Sequence, residues 1–206
     1  LVPRGCIGRV LMIAGYTLVL GMISTTLLMR LLSYLDIGFS LYSVAVVAVL
    51  LAAVCRFVPL TRAGETAPAV GDAAIAPRWQ KLLLLLCLAL LASRLIALGI
   101  EVGTRPVTSW DAKQHWTKQA KVFFELKEAV AYVPLDEWLE QGGEGVYTNM
   151  HPDYPISAPL IQAWVATALG AWHESLINLP WLFMWVALGL IFFAQARLAG
   201  ISTGVA

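Results

Sequence analysis

Five residues of this chain combine a reactive side chain with suggestive spacing: Asp111, His115, His151, Asp153 and Tyr154. A carboxylate at Asp111 could accept a proton from a substrate hydroxyl, which is the work of a general base. His115 follows four positions on, and His151 with Asp153 adds a second imidazole and a second acid. These four groups are also ordinary donors for a divalent metal, although Asp-x-x-x-His and His-x-Asp are spacings that arise often by chance. Asp111 has a plainer reading as well. Thr108 followed three residues later by an acid is a helix-start pattern, so the carboxylate could cap free N–H groups and meet the helix dipole, for about 0.5 to 2 kcal/mol. Tyr154, Trp164 and Trp172 read as interfacial or packing aromatics, with a sugar platform as the alternative.

These residues must be held by something unusual, because they sit in the one long polar stretch of an apolar chain. Of 206 residues, 59% are hydrophobic and 13% charged, the composition of an integral membrane protein. Nine of the thirteen acidic residues fall between Glu101 and Asp153. The formal charge of +1 says little about partners, and nucleic acid is not expected among them. Cys6, Cys55 and Cys87 lie in or beside apolar runs without metal-like spacing and read as packing residues.

The expected fold is all-α, a polytopic bundle of about five membrane segments with an extracytoplasmic loop that carries surface-lying amphipathic helices. Residues 1–5 look like the remnant of a cleavable expression tag. Residues 6–58 read as an N-terminal transmembrane hairpin, its first helix the uncharged run Val10 to Met29 and its second Ile37 to Cys55. Residues 59–77, rich in Ala, Gly, Pro and Thr, read as a hydrophilic loop. A third span follows from Pro77 to about Ile100, with Arg94 inside it, either snorkelling or facing a polar cavity. Ile156 to Trp172 and Leu176 to Ala196 are two further apolar segments, the first short enough for a partial span. Arg56, Arg62, Arg78 and Lys81 place the 59–77 loop in the cytoplasm and the polar stretch on the opposite side.

Within the polar stretch, the segment from Thr108 to about Ala131 lacks Gly and Pro and reads as one amphipathic helix along the membrane surface. Trp116, Ala120, Phe123 and Val130 would share one side, with Asp111, His115, Lys118 and Glu125 on another. A shorter helix is expected from Leu135 to Gln141, stopped by Gly142-Gly143. Pro152, Pro155 and Pro159 then fix the backbone ahead of a helix beginning near Ile156 or Ala158.

Ser109-Trp110-Asp111-Ala112 after a transmembrane helix, an amphipathic helix, then His151-Pro152-Asp153-Tyr154-Pro155 and Ala158-Pro159-Leu160 entering the next helix resemble the GT-C superfamily of membrane glycosyltransferases. The layout looks closest to the bacterial aminoarabinose and protein O-mannosyl transferases, over Trp79 to about Arg197. The resemblance implies a GT-C-like module at 78–206 with its extracytoplasmic loop at 101–155, in a bacterial inner membrane. It implies that Asp111 is the catalytic base on an acceptor hydroxyl of a glycan, lipid or protein, which attacks a sugar carried on polyprenyl phosphate, with inversion. His151, Asp153 and Tyr154 would then shape the donor or acceptor pocket. The leaving phosphate needs positive charge, for which His115, Lys118, Arg94 or a divalent cation are candidates. Members of that family have more helices and a second such loop, so this chain is expected to correspond to an N-terminal part, which alone need not be active.

Two other classes fit parts of the pattern. One is a non-catalytic assembly or transport subunit whose loop packs on a partner. The other is a metal-dependent lipid hydrolase built on His115, His151 and the nearby aspartates.

Overall fold

The computed structural model describes residues 7–57 and 78–198. The tag-like residues 1–5, Cys6 and the 59–77 loop lie outside the described residues. The chain is mostly helical: α1 (Ile7–Tyr34), α2 (Leu41–Arg56), α3 (Arg78–Thr104), a π-helical segment (Ala112–Thr117), α4 (Lys118–Leu126), α5 (Leu135–Glu140), α6 (Ser157–Leu169) and α7 (Leu179–Leu198). Two residues each of β1 (Tyr132–Val133) and β2 (Tyr147–Thr148) pair in parallel, Tyr132 against Tyr147, an addition to the all-α expectation.

Among the described residues three helices are long and apolar enough to cross a membrane: Gly8–Tyr34, Arg78–Thr104 and Leu176–Arg197. The other two expected segments are shorter. α2 has 16 residues and α6 has 13, which at the helical rise is about 24 and about 20 Å. α2 starts late because Ser40 and Ser43 cap it reciprocally, each hydroxyl accepting the other's backbone N–H at 2.9 Å. α6 is closed at its far end by Gly170, whose φ of 73° belongs to the left-handed region that glycine adopts without strain.

The chain divides into two compact units. The first holds α1 as far as Gly21, α3 as far as Glu101, and α7 from Trp181. Here α1 and α7 touch at Gly15, where an added Cβ would lie 2.6 Å from Ile191 Cγ1 and 2.9 Å from the Ala187 carbonyl oxygen. Only glycine allows that approach. None of the most apolar window of α3 is buried, and Arg94 is exposed on it. A helix apolar all round and uncovered by protein requires lipid or another apolar surface.

The second unit holds the rest of α1, then α2, and everything from Val102 to Pro180. Its core joins Met29 and Leu32 of α1, Phe39, Phe123 of α4, Leu160 and Ala163 of α6, and Ile177. α4 and α6 pack on each other, and six residues of α6 are buried, so this short apolar helix serves as core. The polar stretch is tied to the end of α1 and the α1–α2 connection by one bond to a side-chain hydroxyl and one between backbones. Phe39 N–H donates to the Lys127 carbonyl and Ala129 N–H donates to Ser33 Oγ, both at 2.7 Å.

The helix expected to reach Ala131 ends five residues sooner. Lys127 takes a left-handed φ of 58°, and its ammonium lies 3.5 Å from the centre of the Phe124 ring. Burial pushes that ammonium's pKa below its usual value, partly offset by Glu125. α5 and its stop at Gly142-Gly143 (φ 73° each) match the expectation. Gly143 is also held by space, since a Cβ there would meet the Trp138 ring at 2.7 Å.

Candidate functional site

The first end of the polar stretch is wound unusually. A π-helix bonds i to i+5, so residues five apart stack along its axis, and such turns recur at functional sites. Here this brings the Trp116 indole back to Asp111, Nε1–H donating to Oδ2 at 3.4 Å. His115, four residues on, presents Nε2 to Asp111 Oδ1 at 3.7 Å. Asp111 makes no capping bond to the helix start, so its carboxylate faces side chains instead of free N–H groups. The hydrogen bond that the capping alternative expects is not made.

His115 departs from the expected polar face. It is only 3% exposed and begins a buried stripe that continues through Gln119, Ala120, Phe123 and Phe124 toward α6. A uniform 3.6-residue wheel misplaces it, because the wider π turn rotates everything before Lys118 relative to α4. Its other nitrogen, Nδ1, lies 3.0 Å from Asn149 Oδ1, in a buried bond spanning 34 residues of sequence. Asn149, 8% exposed, is the site residue that spacing did not reveal. A lone asparagine after a two-residue strand carries no pattern. The β1–β2 pairing that delivers it, supported by Thr148 Oγ1 donating to the Val133 carbonyl, is too short to leave one either.

The second end of the stretch closes on the same imidazole. Tyr154 N–H donates to the His151 carbonyl at 3.2 Å, forming a turn in which Pro152 has the preset φ favoured at the second position. That turn lays the His151 and Tyr154 rings in parallel, 4.6 Å apart and 9° between planes. Trp116 stacks against the tyrosine at 5.5 Å and 18°. His115 meets His151 at 5.1 Å, Tyr154 at 5.7 Å and, edge-on, Trp110 at 5.6 Å.

Asp111, His115, His151 and Tyr154 therefore form one cluster, assembled from both ends of the polar stretch. The other candidates stand elsewhere. Asp153 is exposed on its turn, outside these contacts. Lys118 borders a shallow groove with Lys121, Val122, Glu125, Leu126 and Tyr147. Arg94 belongs to the other compact unit. Among the described residues no group of three or more His, Cys, Asp or Glu side chains is arranged to hold a metal ion, so the ligand set expected of a metal-dependent hydrolase is not assembled.

The cluster grades from wet to dry. Asp111 is 66% exposed at its side chain, while His115 and Asn149 behind it are buried. Such an arrangement offers a solvated carboxylate to an incoming hydroxyl, backed by an imidazole and flanked by aromatic faces. No protein-family model, no curated protein and no solved structure matches this chain.

Proposed function

We propose that the chain carries the acceptor-activating site of a GT-C-like membrane glycosyltransferase, with Asp111 as general base. The acceptor hydroxyl gives its proton to the carboxylate as its oxygen bonds to the anomeric carbon. The bond from that carbon to the polyprenyl phosphate breaks, its electron pair leaving on the phosphate, and the configuration inverts. The observation that carries the reading is the meeting of the two ends of the polar stretch. Asp111 is free of helix capping and exposed, and it lies beside an imidazole that also contacts His151 and Tyr154.

Two further facts favour it. Among the described residues three helices have the length and composition to cross a membrane, in keeping with a substrate whose phosphate and sugar are held at a lipid interface. The end of α1 and the α1–α2 connection are bonded to the Lys127–Ala129 segment, which agrees with a topology in which both share the extracytoplasmic side. About five membrane segments and a bacterial inner membrane complete this picture. Lys118 lies at a groove rather than at the cluster, so charge for the leaving phosphate is to be sought in the partner lipid surface, a divalent cation or further parts of a longer protein. Binding of a polyprenyl-phosphate sugar to purified protein in micelles tests the reading. Saturable binding that competes with free polyprenyl phosphate is expected. Its absence, with a stable protein partner co-purifying, would favour an assembly subunit.

A further inference from the structure

The bond from His115 to Asn149 decides which imidazole nitrogen can take a proton. Asn149 Oδ1 lies 3.0 Å from Nδ1, and a carbonyl oxygen only accepts, so with the amide in this orientation Nδ1 carries the hydrogen. In the neutral ring Nε2 is then a lone pair, and it points at Asp111 Oδ1, 3.7 Å away. Two acceptors facing each other repel unless a proton lies between them. The exposed aspartate needs to move by less than about 1 Å to bring the pair to hydrogen-bond distance.

We infer that Asn149 is a positioning residue which holds His115 in its Nδ1–H form, making the imidazole a proton store behind Asp111. The inference rests on the transferase reading. When the carboxylate has taken the acceptor's proton, the carboxylic acid passes it to Nε2, leaving an ionised aspartate beside an imidazolium whose Nδ1–H stays bonded to Asn149. One proton moves twice and nothing is oxidised or reduced. The buried ring is otherwise faced by His151, Tyr154 and Trp110, and among the described residues Asp111 is the one carboxylate against it. The opposite tautomer would present Nε2–H to Asp111 and leave the ring unable to accept.

The test is 15N–1H correlation of histidine-labelled protein in micelles, with sugar transfer measured separately on the same variants. Wild type should show a pyrrole-type Nδ1 and a pyridine-type Nε2 at His115, and Asp111→Asn should leave that pattern in place. Asn149→Asp, nearly isosteric, puts a carboxylate on Nδ1–H and should keep the same single tautomer. Asn149→Leu should lose the single tautomer. A wild-type Nε2–H form, or loss of the Nδ1–H form in Asn149→Asp, overturns the proton store, and either is legible even if Asn149→Leu fails to fold. These spectra need no substrate. Absence of transfer in every form, with the tautomer as stated, would instead count against the transferase reading.

Discussion

Tyr154 is the ring on which both ends of the polar stretch meet, so its removal should separate what the aromatic contacts contribute from what the hydroxyl contributes. The ring stacks on His151 at 4.6 Å and on Trp116 at 5.5 Å, and meets His115 at 5.7 Å. Aromatic pairs of this kind are worth about 0.5 to 1.5 kcal/mol each beyond the area they bury, so three give about 1.5 to 4.5 kcal/mol. Tyr154 is half-buried and His151 exposed, which favours the lower part of that range, about 2 kcal/mol. Tyr154→Leu keeps an apolar side chain while deleting all three pairs. Tyr154→Phe keeps the rings and should lie within about 0.5 kcal/mol of wild type, because among the described residues the hydroxyl bonds to no other group. Denaturant unfolding in micelles, followed by tryptophan fluorescence and by proteolysis of the polar stretch, reads the difference. If the leucine and phenylalanine variants unfold alike, the stack contributes nothing and the two ends are held by other means.

Gln119 is 1% exposed, and neither its amide oxygen nor its nitrogen has a partner among the described residues. A buried amide without partners costs about 1 to 3 kcal/mol, so Gln119→Met, which preserves volume against α6, should stabilise by about that amount in the same unfolding measurement. A loss of stability would mean that the amide is hydrogen-bonded in solution. Tyr132 has a buried hydroxyl with no partner among the described residues, and desolvation chiefly, with Tyr147 second, pushes its pKa well above the ordinary 10.0. The folded chain therefore keeps this proton after the unfolded chain has released it. Its contribution is fully present below pH 10.0 and declines as pH rises beyond that value, and Tyr132→Phe should flatten the decline. Absorbance titration at alkaline pH checks it, and ordinary ionisation of Tyr132 in folded protein would contradict it.

The sequence foretold the parts of the fold that depend on local chemistry. Runs of uncharged residues marked the long helices, Gly142-Gly143 stopped α5 where two glycines should, and the prolines before Ser157 placed the start of α6. It also marked Asp111, His115, His151 and Tyr154, because reactive side chains at two ends of a polar stretch are visible in composition alone. What escaped it was set by tertiary context. The π turn rotates His115 from the solvent face into the interior, and no residue type announces an extra backbone position per turn. Asn149 matters because two distant strands of two residues each pair beside it. α4 ends at Lys127 in a left-handed conformation that sequence would have assigned to glycine or asparagine. Its carbonyl bond to Phe39 and its ammonium over Phe124 are the compensations.

The base assigned to Asp111 is open to a single comparison. Membranes carrying wild-type protein and membranes carrying Asp111→Asn at equal protein level are supplied with a polyprenyl-phosphate sugar, and labelled acceptor is counted. The asparagine keeps the size of the side chain and an oxygen for Trp116 Nε1–H but cannot take the acceptor's proton. A general base contributes about 10²- to 10⁴-fold, so transfer should fall by at least about 100-fold. Undiminished turnover by Asp111→Asn would contradict the assignment.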